Sequence, residues 1–447
     1  MTDSVDIRNE LKLLVERGDV DAFRRRAEEV HPSDLADVLV DLDEDLRLDA
    51  VRILPPEVVS QALAEMETDE HPEALLAALH PEQAADILEA LEDDDAADLV
   101  GDLPPETATS ILASVEDRPD IERLLEYPEE TAGGIMTTAV VAVPLTATAA
   151  QAIDAIRRQS EEIDDIYQVY CVDKRGVLQG VLPLQQLVRA PADRSVSQLM
   201  EPAPATITPD MDQEEVARII TRYNIASVAV VDGAGRLLGR ITFDDVIDVV
   251  EAEVTEDLLK FGGGSGDEQL GATWGQAVRR RLPWLFVNLV TAALSGFIVW
   301  MFQETMLSTW LLAALVPVVA GMGGNAGTQA LAVTVRRVSL GLIPTRGARR
   351  VVAKELLVGC TNGLMVGLVV GAGAWVIDGQ WIFGMVVTLS MWGNLIVAGV
   401  AGSAIPLLLQ KLGIDPAIAS SVFVTAFTDL CGYFLLLSLS ASFILSR

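Results

Sequence analysis

The residues of this chain best suited to chemistry are carboxylates in unusual surroundings. Asp429 stands near the middle of an apolar run, 417–445, long enough to cross a bilayer at about 1.5 Å per residue. No other acid in the last third of the chain sits so deep in such a run. A carboxylate at that depth costs at least ~2.5 kcal/mol, so it faces a partner, a water-filled path or an ion. A cation path is the favoured reading, and a hydrogen bond to a neighbouring helix is the plain alternative. A second constellation follows Pro317: Gly321, Gly323, Gly324 and Gly327 are interleaved with Asn325, Thr328 and Gln329. Four glycines in seven residues predict a broken or sharply bent helix. Irregular backbone at membrane depth belongs beside a cavity or inside protein. Gly323, Gly324, Asn325 and Gln329 are therefore candidate pore-lining positions, with close helix packing through small residues as the alternative.

Acidic clusters form a third candidate. On a helix, Asp245, Asp248 and Glu251 share one side, and Glu253, Glu256 and Asp257 make a second patch one turn further on. Like charges 4 Å apart repel by ~4 kcal/mol at an effective dielectric of 20, and a bridging divalent cation reverses that sign.

The elements that must position these residues fall into two dissimilar halves. Of 447 residues carrying a net charge of −33, residues 1–270 hold −39 and residues 271–447 hold +6. The acidic half has the wrong sign for nucleic acid or an anionic membrane surface, and suits divalent cations. A general acidic, salt-adapted composition is the competing explanation; 27 Arg against 5 Lys shows some compositional bias. Cys171, Cys360 and Cys431 make neither a disulfide framework nor a zinc spacing. The acidic N-terminus lacks an apolar leader, which predicts that this half stays in the cytoplasm.

Prolines 32, 56, 81 and 105 recur at intervals of 24, 25 and 24, each followed by an acid and apolar residues at helical spacing. Proline in the first turn with a carboxylate near the dipole's positive end marks a helix start. A period near 24 accommodates two short helices, so residues 1–130 read as an all-α superhelical domain. His31, His71 and His80 precede prolines at helix entries, which reads them as structural rather than ligating residues. Next, 169–181 reappears 59 residues later as 228–240, each a strand, glycine turn and strand followed by a helix. This resembles a tandem pair of CBS domains, over 131–250, whose clefts bind ATP in some members. A linker helix over 251–281 follows, interrupted at Gly262–Gly266. Apolar runs at 282–302, 310–335, 356–377, 381–409 and 417–445 predict five spans over 282–447. Arg279–Arg281, Arg336, Arg337, Arg346, Arg349, Arg350 and Lys411 all fall on one predicted side, which places the N-terminal half inside.

The order of these domains resembles the MgtE family of magnesium channels. The resemblance rests on Gly321-x-Gly323-Gly324-Asn325-x-Gly327-x-Gln329, Leu412-Gly413-Ile414-Asp415-Pro416, Thr428-Asp429-Leu430-x-Gly432 and the acidic runs at 212–218 and 244–257. It implies a homodimer in a bacterial or archaeal plasma membrane, with Asp429 of both copies facing a pore for hydrated Mg²⁺. It also implies closure by cytosolic Mg²⁺ held by Asp94, Asp98, Glu214, Asp245, Asp248, Glu253, Glu256, Asp257 and Asp415. Asn224 and Ser421 depart from the family pattern, which predicts a weakened regulatory site. Together with the glycine interruption, they predict looser coupling of sensor to pore. Rival readings are an ion-coupled exporter using Asp429 and a nucleotide-regulated CBS channel. A zinc protease is excluded because no histidine lies beyond His80.

Overall fold

The computed structural model describes residues 2–66, 70–116, 118–159, 163, 166–264, 273–342, 347–418 and 421–445. Ser265, Gly266 and Arg346, all part of the sequence reading, lie outside them. The chain forms two compact units, residues 1–251 and 252–447.

The first unit begins with ten helices: α1 (Thr2–Glu16), α2 (Val20–Ala27), α3 (Pro32–Asp41), α4 (Glu44–Ile53), α5 (Pro56–Ala64), α6 (Pro72–Ala77), α7 (Pro81–Leu88), α8 (Asp93–Gly101), α9 (Pro105–Leu112) and α10 (Arg118–Leu124). The repeating prolines open α3, α5, α7 and α9, which stack in sequence, and one short helix follows each. That stack is the superhelix the period predicts. The three histidines are N-caps; the His31 ring accepts from the Ser33 amide.

Two copies of one α/β motif follow. The first holds β1 (Ala142–Pro144), α11 (Ala149–Gln159), β2 (Gln168–Val172), β3 (Leu178–Pro183) and α12 (Leu184–Arg189), with α13 (Val196–Leu199) behind it. The second holds β4 (Thr206–Ile207), α14 (Gln213–Tyr223), β5 (Ser227–Val231), β6 (Leu237–Thr242) and α15 (Phe243–Phe261). In each sheet a parallel pair precedes an antiparallel hairpin. Asp173 and Asp232 accept backbone amides across the hairpin turns, and Gly176 and Gly235 take φ +78° there, where a side chain would strain the backbone. The motifs join through Tyr170, whose hydroxyl is 2.7 Å from Ser227 Oγ, and through the backbone pairing of Thr137 with Arg240.

The predicted linker helix, 251–281, begins as the second half of α15, which stops at Phe261 because Gly263 adopts φ +79° while the Gly263 and Gly264 amides bond back to Lys260 and Leu259; residues 265–272 of that range lie outside the described residues. Such a left-handed glycine cap ends a helix cleanly.

The second unit contains α16 (Trp274–Met301), α17 (Gln303–Ser308), α18 (Trp310–Ser339), α19 (Ala348–Asp378), α20 (Trp381–Lys411), a 3₁₀ turn (Pro416–Ile418) and α21 (Ser421–Ser440). Among the described residues, five of its helices are long and apolar enough to cross a membrane. The predicted break in the second span does not occur: α18 runs unbroken past Pro317 and all four glycines. With no water to receive freed backbone groups, the helix is kept and the glycines serve close approach instead. A Cβ at Gly323 would stand 2.3 Å from Asn394 Nδ2, and one at Gly327 2.6 Å from Val424. On α19, Gly359, Gly363, Gly367 and Gly371 form a stripe at four-residue spacing that lies against α20.

This packing separates two α19 substitutions. A Cβ at Gly371 would lie 2.5 Å from the Gly384 carbonyl, whereas Gly373 meets nothing within 4 Å. Gly371→Val should destabilise the protein by about 1–3 kcal/mol through overpacking, and Gly373→Val should be neutral. Thermal unfolding of the two variants in detergent checks the difference.

Candidate ion path and cation-sensing junctions

In the membrane unit, α18 and α21 meet along small residues, with Gly324 against Thr425 and Gly327 against Val424 and Thr428. Thr425 and Asp429 stand one turn apart on α21, and Asn325 and Gln329 one turn apart and exposed on α18. Asp429 is half-buried and, among the described residues, has no hydrogen-bonding or ion-pairing partner. Two polar side chains and an unpaired carboxylate thus border one packed seam. Asn394 of α20, missed from sequence, is fully buried; it donates to the Val319 carbonyl at 2.9 Å and fits notches at Gly323 and Gly432. Glu355, near the start of α19, is also buried, although the sequence places it outside the apolar run.

In the first unit, α8 meets the start of α15. Asp94, Asp95 and Asp98 share one face of α8 and lie close enough to Asp245 for the charges to interact. Thr138 Oγ1 donates to Asp93, and the buried Arg240 guanidinium lies 3.4 Å from Glu92. Asp245 is fixed by the cap of α15, its Oδ2 accepting from the Thr242 amide at 3.0 Å and hydroxyl at 2.6 Å. Asp248 follows on α15, near the charges of Asp245 and Glu65. Glu214 is exposed on the first turn of α14, and Glu253 is partly buried on α15. Asp95 was absent from the expected ligand set, although the run Glu92-Asp93-Asp94-Asp95 at a helix start was there to be read.

These acids are held against their preference for charge. Burial and the neighbouring Asp245 and Asp98 push Asp95 up to about 8, and burial with Glu129, Asp102 and Asp245 pushes Asp98 up to about 7. Burial, then Asp95 and Asp245, also raises Asp94, whose buried Oδ1 has no hydrogen-bond donor among the described residues. An orphaned carboxylate oxygen among mutually repelling acids fits a bound cation. Among the described residues no three acidic, His or Cys side chains converge as a ready-made cage.

A second junction lies within the membrane unit. The loop after α20 ends in a left-handed Gly413, and Asp415 Oδ1 caps the 3₁₀ turn at the Ala417 amide, 2.8 Å away. Its Oδ2 accepts from Lys260 Nζ at 2.7 Å, and the same ammonium pairs with Glu256. Burial opposes the Lys260 charge, but the two carboxylates outweigh it and raise its pKa. Ser339 Oγ donates to Asp257 at 3.2 Å, and Ser421 Oγ to the Phe261 carbonyl at 3.1 Å. Ser421 thus serves the end of α15.

The second α/β motif also carries an open groove of about 610 Å³ lined by Ile220, Thr221, Asn224, Ile225, Phe243 and Val246 among others.

An acidic unit joined to a unit of long apolar helices, the last of which carries a half-buried carboxylate, is the arrangement of a cation transporter. The chain matches the description "Divalent cation transporter" over residues 316–439, "MgtE intracellular N domain" over 30–130 and "CBS domain" over 132–193 and 196–252. It is 34% identical to the magnesium transporter MgtE of Thermus thermophilus over 96% of this chain and 97% of the relative. It is 32% identical to that of Enterococcus faecalis, over 72% and 71%. Among solved structures, the soluble part of a magnesium transporter aligns at 29% identity and TM-score 0.53, covering 56% of this chain and 99% of the other. The cytosolic domain of the Mg²⁺ channel MgtE in complex with ATP aligns at 34% and 0.52, covering 54% and 99%. The chain belongs to the MgtE family of divalent cation transporters.

The raised carboxyls give a signed pH dependence. In metal-free protein the folded cluster keeps protons that the unfolded chain has lost above the ordinary carboxylate range. The stability this contributes is full below that range and is lost as pH rises through about 7 and 8. With EDTA, amide exchange of α8, corrected for intrinsic rate, should become easier between pH 6 and 8.5. Asp95→Asn should flatten the dependence, and Mg²⁺ should restore protection at the alkaline end.

Proposed function

We propose that this protein is a homodimeric channel for hydrated Mg²⁺ in a bacterial or archaeal plasma membrane, closed from the cytosol by Mg²⁺ bound to its acidic half. The observation that carries the reading is Asp429, an unpaired carboxylate on a membrane-spanning helix beside the Asn325–Gln329 face. Mg²⁺ sheds water reluctantly, so a carboxylate at each side of a two-fold path holds the ion through its waters and lets it pass. A tight cage of direct ligands would trap it. The named relatives, both magnesium transporters, support the choice of ion.

Closure follows from linkage: an ion that binds the closed arrangement more tightly than the open one draws the protein closed. The acids of α8 and α15 repel one another without such an ion. Asp94, Asp98, Asp245 and Asp248 are the residues we assign to it, with Glu214, Glu253 and Asp257 as further regulatory ligands; Glu256 and Asp415, expected in that set, pair with Lys260 instead. Asp95 belongs with the first group on its position. ATP at the CBS pair is proposed on the likeness to the ATP-bound domain alone.

Two experiments test this reading. In loaded vesicles, Asp429→Ala should abolish Mg²⁺ flux while the protein stays folded and inserted. Neutralising Asp94, Asp98, Asp245 and Asp248 together should leave flux intact and raise the internal Mg²⁺ needed for half-closure at least roughly tenfold, the effect of losing about 1.4 kcal/mol of differential binding. Undiminished flux in the first variant removes Asp429 from the path. Unchanged closure in the second returns the acids to surface.

A further inference from the structure

Lys260 was no part of the expected machinery, yet it occupies the middle of the α15–Asp415 junction. Its ammonium is mostly buried, at 19% side-chain exposure, and lies between Glu256 one turn back on α15 and Asp415 after α20. Around it the end of α15 is held by three further contacts: Asp257 with Ser339 of α18, the Phe261 carbonyl with Ser421 of α21, and Phe261 packed beside Leu331, Val335, Ala417 and Val424. Two carboxylates from different segments would drive these elements apart. A cation between them holds them together, and here that cation is covalently part of the chain.

We infer that Lys260 is a tethered counter-ion that fixes the end of α15 to the start of the last membrane segment, doing at this junction what a bridging divalent cation would otherwise do. The inference deepens the reading of this chain as an Mg²⁺-closed channel and rests on it for its consequence. At this junction α15 stays docked without Mg²⁺, so control by the ion is exerted where no lysine stands, at the α8–α15 acids. Both Lys260 partners accept charge-assisted bonds, which are stronger than neutral ones and survive screening at contact distance. A mobile ion has to displace an ammonium that cannot leave, and so competes poorly.

The test reads docking rather than flux. In full-length protein with Cys171, Cys360 and Cys431 replaced by serine, Ser421→Cys places a thiol where the Phe261 carbonyl covers it. Labelling by a hydrophilic maleimide should be slow in EDTA and unchanged by millimolar Mg²⁺ when Lys260 is present. Lys260→Gln should accelerate labelling in EDTA roughly tenfold or more, the effect of losing one charge-assisted bridge. Mg²⁺ should then slow it again, which also shows that the variant is folded. Lys260→Arg should label as slowly as the parent. Unchanged labelling in Lys260→Gln overturns the inference, as does fast labelling in Lys260→Arg, or strong Mg²⁺ protection when Lys260 is present. Patch currents from the same proteins report closure separately: loss of Mg²⁺ inhibition in the parent refutes the channel reading without touching the labelling result.

Discussion

Mutual repulsion among buried carboxylates is the constraint on which the soluble half depends. Asp94, Asp95 and Asp98 on α8 approach Asp245 at the start of α15, with Arg240 as the cation nearest to hand. Each close pair costs ~4 kcal/mol at 4 Å and an effective dielectric of 20, comparable with much of a domain's net stability. Protons or a divalent cation must supply the missing charge. On the proposed function, what the acids add is a dependence of the closed arrangement on an ion.

In the membrane unit the corresponding constraint is the backbone, which has no water to bond. It keeps α18 helical through a proline and four glycines, and three of them, Gly323, Gly324 and Gly327, become notches for Asn394, Thr425 and Val424. The helices then approach closely enough that Asp429 borders a seam and not a plain lipid face. Chemistry and packing thereby share residues: Gly432, one turn from Asp429, is also a notch for Asn394.

Much of this was legible in the sequence because it repeats or is long. The proline period named the first helix of each superhelical repeat, and the 59-residue offset holds strand for strand between β2–β3 and β5–β6. The five spans follow from length and hydropathy. The glycine motif was misread because glycine and proline break helices in water, where freed amides find a solvent partner; in lipid that partner is missing. Asn394 was invisible because its notches lie 71 and 38 residues away in sequence. Lys260 was passed over for a related reason: its meaning depends on Asp415, 155 residues distant. Asp95 was within reach, since its three-residue spacing to Asp98 puts both on one face of α8.

The central claim is a Mg²⁺ path that cytosolic Mg²⁺ closes, and patch recording with defined Mg²⁺ on each face tests it most directly. The account predicts a Mg²⁺ current that follows voltage without a proton or sodium gradient and falls as Mg²⁺ rises on the cytosolic face alone. Flux that requires a sodium or proton gradient, or a current indifferent to cytosolic Mg²⁺, would contradict it.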